Sequence, residues 1–289
     1  MNAPIRFPLT KSKAPVPAVN ADPLAGVTIG HGDFPDAALQ GTTANFKVYA
    51  HPALGADGVT IAKGVLALCE KDYTTIKGYF GGIKPPRLPF NVVIVDLTNA
   101  SVGACGGTSP AGGGAYHCDC GGIDIYCDVK TTPYADPKFT EFLNVAELVE
   151  VFEAVQNKGW DCSASNGEGL SRVLATALYP DELNGFNSAS VWLDDEDRPD
   201  WINNNNPTDD FDVSNGCSVL FLNYLRYQLG HPWNMIVQAA APTLAETYSK
   251  LTGDYQDPFP PFKALLNLKF PSAPSGLNTD NAWPIELDI

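Results

Sequence analysis

Asn144-Val-Ala-Glu-Leu-Val-Glu-Val-Phe-Glu-Ala154, followed by Ser165-Asn-Gly-Glu-Gly-Leu-Ser-Arg172, is the stretch on which the fold turns. Phe142, Val145, Val149 and Phe152 fall on one helical stripe, with Leu148, Val151 and Val155 beside it. Apolar residues so placed cover most of the circumference, which predicts a buried central helix over 137–157. The polar remainder, Glu141, Asn144, Glu147, Glu150 and Glu153, recurs at three-residue steps. That stripe is either the wet face of the helix or a site. No Lys or Arg stands four residues from Glu147 or Glu150 to relieve their repulsion. Glu168 follows 18 positions after Glu150, between Gly167 and Gly169, in a second predicted helix over 167–178. It either pairs with Arg172 four residues on or joins Glu147 and Glu150 in an acidic cluster.

Outward from this pair of helices, the pattern is mixed on one side and helical on the other. Asn45–Ala50, Phe90–Leu97 and Ile123–Val129 read as strands, and Asp57–Lys77 as an amphipathic helix. Gly103–Gly122 is too rich in glycine for regular structure, and Gly112-Gly-Gly lacks the Lys-Ser/Thr of a phosphate loop. Residues 181–214 form a long polar connection carrying ten acidic residues, eight of them within 194–212, against Arg198, with Asn203-Asn-Asn-Asn-Pro inside it. Helices are predicted over 217–230, 233–240, 244–252 and 261–270. The expected architecture is α+β, in four parts: a Pro-rich arm at 1–25, an α+β lobe at 26–160, a helical lobe at 161–275 and a tail at 276–289.

A net charge of −15 repels phosphate backbones and anionic membrane surfaces, which argues against nucleic acid and membrane partners. No run of roughly 18 apolar residues is visible, and the first residues show no apolar core of a signal peptide. The 7 cysteines nevertheless lean toward an extracellular or secreted protein. Two disulfides are expected among Cys105, Cys118, Cys120 and Cys127, and one between Cys162 and Cys217, leaving Cys69 as a buried thiol. His117 beside Cys118 gives a weaker zinc or thiolate alternative, and His31, His51 and His231 read as turn residues. The loop at 194–212 lacks EF-hand register and defaults to a solvated acidic loop. Trp160, Trp192 and Trp201 either line a cleft or sit in the core.

The layout resembles the gluzincin metallopeptidases, the thermolysin and aminopeptidase type. Ala146-Glu-Leu-Val-Glu150 stands where that family has His-Glu-x-x-His, and Asn166-Gly-Glu168 resembles the segment bearing its third zinc ligand. The resemblance covers roughly 45–270, and implies a zincin-like fold with Ile123–Val129 as the edge strand that aligns a bound peptide. It places Glu147 at the general base and leaves Glu150 and Glu168 as candidate metal ligands. Ala146 replaces the first ligand, and Val213 replaces the family's oxyanion tyrosine. Two carboxylates make a poor zinc site, so zinc peptidase activity is not expected; oxygen ligands alone would suit calcium, magnesium or manganese. The expected function is a metallopeptidase-like protein that has lost its zinc and binds a peptide, glycan or protein partner in the former cleft. The alternative is a peptidase or glycosidase run by Glu147, Glu150 and Glu168.

Overall fold

In Phe46-Lys-Val-Tyr-Ala every residue but Lys47 is buried, so the strand is covered on both faces despite its alternating sequence. The computed structural model describes residues 34–95, 101–102, 107–108, 114–116, 124–128, 137–182, 187–207 and 212–286. Strand β1 (Ala38–Thr42) turns into β2 (Phe46–Ala50), and a long helix, α1 (Gly55–Tyr79), follows. Beyond it come β3 (Phe90–Val95), β4 (Ser101–Val102), β5 (Gly107–Thr108), β6 (Gly114–Tyr116) and β7 (Asp124–Asp128). All residues of β3 are buried, as its near-continuous apolar run requires of a strand covered on both faces. The 5-stranded sheet has the order β1-β2-β3-β7-β6. Its middle is parallel, with Val48 opposite Val92 and Val92 opposite Ile125, and its two edges are antiparallel.

Two expectations are corrected here. The Gly-rich segment contributes β5 and β6, and β7 lies between β3 and β6, so the stretch 123–129 is an interior strand and not an edge. The arm at 1–25 and His31 lie outside the described residues, as do Cys105, Cys118, Cys120 and the side chain of Cys127.

Helix α2 (Pro137–Gln156) follows, and the chain divides into compact units inside it. One unit holds the sheet with α1 up to Tyr73 and α2 up to Leu148; the other takes Thr74–Lys84 and the chain from Val149 onward. In the first unit, the Glu70 carboxylate on α1 accepts hydrogen bonds from the Thr43 hydroxyl (2.6 Å) and from the Asn45 backbone (2.6 Å) and amide (2.8 Å), fixing the β1–β2 turn. Gly64 lets Pro137 pack against α1 where a methyl group would collide. The stretch Pro52–Tyr79 is long and apolar enough to cross a membrane by composition alone. Its Ile61, Ala62, Val65, Cys69, Tyr73 and Ile76 are buried at helical spacing, as in a core helix.

The second unit is helical: α3 (Ser165–Leu178), α4 (Ala189–Leu193), α5 (Asp212–Asn223), a π-helical turn (Tyr224–Gln228), α6 (Trp233–Gln238), α7 (Leu244–Thr252) and α8 (Phe259–Lys269). Helix α5 packs on both α3 and α4. Gly169 faces Ser218 and Gly216 faces the Ser188 carbonyl, and neither contact leaves room for a Cβ. Phe221, Tyr224, Phe262 and Trp283 form an aromatic core, with Tyr224 and Trp283 centroids 5.0 Å apart. Trp283 also donates to the Leu220 carbonyl at 2.8 Å, so the described residues around it pack with this unit. Trp160 and Trp192 are likewise core residues, each donating its indole N–H to a backbone carbonyl.

Candidate functional site

The polar stripe of α2 is not a wet face. Thr140, Glu141, Asn144, Glu147, Glu150 and Glu153 are all fully buried, as are the apolar residues that alternate with them. An acidic helix enclosed on every side is costly unless each carboxylate is protonated or compensated. At Glu141 the compensation is visible. Burial pushes its carboxyl well above the usual glutamate range, the charge of buried Asp72 adds to that, and a hydrogen bond to Asp72 favours the protonated form. Asn144 Nδ2 donates to Glu141 Oε1 at 3.2 Å and acts in the opposite direction.

At the other end of the stripe, Glu153 reaches the first turn of α3. Its Oε2 lies against the Gly167 Cα, where any side chain at 167 would overlap both it and the Asp161 carbonyl. The N-terminal end of a helix carries positive character, which suits a carboxylate there. The same turn bears Glu168, fully buried, whose Oε1 accepts from Arg172 Nε at 2.9 Å and lies 2.9 Å from Nη2. Of the two readings of Glu168, the structure thus contains the local ion pair. Arg172 is itself buried; burial opposes its charge, but Glu168, with Asp212 and Asp280 farther out, raises its pKa on balance. Its Nη1 donates to Ser188 Oγ. Asp280 Oδ1 accepts the Ala189 N–H at 2.8 Å, which ties the C-terminal segment to the start of α4. Burial raises the Asp280 carboxyl, and the N–H groups of residues 187–189 and the charge of Arg172 partly offset this.

The residue before helix α3, Ala164, has no side chain able to cap it. The Asn run supplies the cap from a distance. Asn205 Oδ1 accepts the Asn166 N–H at 3.0 Å and the Ser165 hydroxyl at 2.8 Å, while the Asn206 carbonyl takes the Ser165 N–H at 3.0 Å. The acidic part of the same connection is also ordered: Asp195 and Asp200 accept backbone N–H groups of their own turns, and Asp194 accepts the Ser275 N–H at 2.6 Å. Asp194, Glu196 and Asp197 are exposed, as expected of a solvated acidic loop. Cys217 is a buried free thiol, so the expected Cys162–Cys217 pair does not form; Cys69 is a buried thiol, as expected. Burial pushes the Cys69 thiol up to about 12, and Cys217 also goes up, so neither is an activated nucleophile. His51 caps its own turn through Nδ1, and His231 closes the end of the π turn through its backbone N–H.

As a cation site, the predicted residues do not fit. Ala146 is buried and has no donor, and Glu168 already holds a guanidinium whose charge repels any cation brought to the same carboxylate. Among the described residues no group of three or more His, Cys, Asp or Glu side chains is placed to hold a metal ion. Three groups escaped the sequence reading: Asp72 as partner of Glu141, Asn205 as a distant cap and Asp280 beyond Arg172. Contacts across such separations leave no local signal. No family model matches the chain, and no curated protein matches it.

Proposed function

We propose that this chain is a gluzincin-like protein in which a buried ion pair stands in place of a metal site, and that it acts by binding a peptide, glycan or protein partner. The observation that carries this is the Glu168–Arg172 pair, at 2.9 Å and shut away from water, with Ala146 buried one turn before Glu150. A carboxylate that must stay ionised to hold a buried arginine is not free to ligate a cation or to relay a proton. The mixed sheet followed by two helices in series, each carrying glutamates, agrees with the zincin-like layout. Glu147 keeps the position of the family's general base but is fully buried, as is Glu150.

The test is metal analysis of the purified protein, followed by peptide and glycan substrate screens with wild type and Glu147→Gln. Absence of bound metal and of turnover, together with saturable binding on peptide or glycan arrays, supports the proposal. Stoichiometric zinc would overturn the lost-site reading. Turnover that disappears in Glu147→Gln would instead favour a hydrolase run by Glu147, Glu150 and Glu168.

A further inference from the structure

The helix that begins as α5 does not end regularly. At Tyr224 it widens into a π turn, closed by the Leu229 N–H on the Tyr224 carbonyl at 3.0 Å. Such turns are rare, and they are frequent at functional sites. This one points Tyr224 and Leu225 into the core and leaves Arg226 half-buried and Tyr227 exposed. The Arg226 guanidinium carbon lies 5.4 Å from the Tyr227 ring centroid. Tyr227 in turn meets Trp233 edge-on at 6.2 Å. Tyr79, at the end of α1 and in the same unit, completes the surround; burial raises its phenol, and the charge of Arg226 acts against that rise.

What is unusual is the guanidinium itself. Arg226 Nε is buried from solvent and has no hydrogen-bond acceptor, and no Asp or Glu among the described residues pairs with the side chain. A chain with a net charge of −15 has ample carboxylates to offer, yet no described one is paired with Arg226. The Tyr227 ring beside the arginine is 41% exposed, and with Tyr79 it gives the cation an aromatic flank. A planar donor fork is made for a carboxylate, and the aromatic flank for an apolar body attached to it. We infer that Arg226, flanked by Tyr79 and Tyr227, is a receptor for a carboxylate carried on an apolar group, as at the C-terminus of a peptide ending in an apolar residue. The site includes none of the α2 and α3 glutamates and stands whether or not the gluzincin reading does.

Arginine in the last turn of a helix also complements the helix dipole, a role that needs no ligand. The experiment separates the two. N-acetylphenylalanine, its amide and inorganic phosphate are titrated into the ¹⁵N-labelled full chain and followed by amide chemical shifts. The free acid should give saturable shifts at residues 226–235, with the amide at least about tenfold weaker, the effect of losing one charge-assisted hydrogen bond. Arg226→Ala should abolish the shifts, and Arg226→Lys should weaken them. Equal binding of acid and amide by wild type overturns the inference without any variant. So does phosphate that binds at the same residues as tightly as the acid, or an Arg226→Ala protein that still binds. Loss of thermal stability in Arg226→Ala with no shifts in wild type leaves only the dipole role and likewise overturns it.

Discussion

Arg172 and Glu168 each depend on the other, because neither side chain meets water. Their separation of four residues is legible in the sequence, and so is the choice between a local pair and an acidic cluster. Burial decides it, and burial is set by α5 and by the segment after α8, which no local pattern announces. The energetics follow from the enclosure. Arg172→Ala strands a carboxylate in the interior and should lower unfolding free energy by about 3–5 kcal/mol. Replacing both partners by apolar residues, as in Glu168→Leu with Arg172→Met, removes the stranded charge and should cost markedly less than the single change. Chemical denaturation of the three proteins checks this. A double variant as unstable as the single would mean that Ser188 and the neighbouring acids, rather than Glu168, set the value of the arginine.

The elements divide by how far their causes lie from them in the chain. Helix α7 runs over Leu244–Thr252, as its pattern predicts, since its capping box at Thr243 and Glu246 and its left-handed Gly253 are all local signals. Strand β3 is equally plain, because a continuous apolar run between proline and polar residues has few other uses. The α+β class was therefore readable, while the rank of β7 inside the sheet was not, for strand order is fixed by crossovers. Which of the two readings of the α2 stripe holds was not readable for a related reason: polar residues at helical spacing signal solvent only if nothing covers them. Helix α3 shows the limit most clearly, since its cap is Asn205, 39 residues from Asn166. Asn205→Ala should cost about 1–2 kcal/mol, the usual effect of removing a helix cap. Its signature should be local, with hydrogen exchange accelerated first at Ser165–Glu168. Protection lost uniformly along the unit would instead point to a global role for the Asn run.

On the scale of the whole molecule, charge and buried carboxyls push stability in the same direction. At neutral pH the net charge of −15 repels itself, and the repulsion grows as the last carboxyls ionise. Glu141 and Asp280 have folded pKa values raised by burial. A raised acid binds its proton more tightly in the folded chain, so its contribution is full below the unfolded value, about 4, and is lost as pH rises through the folded value. Glu70 acts the opposite way: burial would raise its carboxyl, but the bonds from Thr43 and Asn45 outweigh that and lower it. Its contribution is present above about pH 4.3 and fades as pH falls through the lowered value. Stability should therefore peak in weakly acid solution and decline toward and beyond neutrality. The two causes of the decline separate experimentally. Salt shortens the screening length from roughly 30 Å at 0.01 M to roughly 8 Å at 0.15 M, which relieves the surface repulsion but leaves buried groups little changed. Glu141→Gln keeps an acceptor for Asn144 while removing the proton that must leave. Thermal midpoints across pH 4.5–8 should accordingly flatten in part with added salt and in part with Glu141→Gln, and most when the two are combined. If the variant declines as steeply as wild type in salt, Glu141 is not ionising over that range, and the hydrogen bond with Asp72 holds its proton throughout.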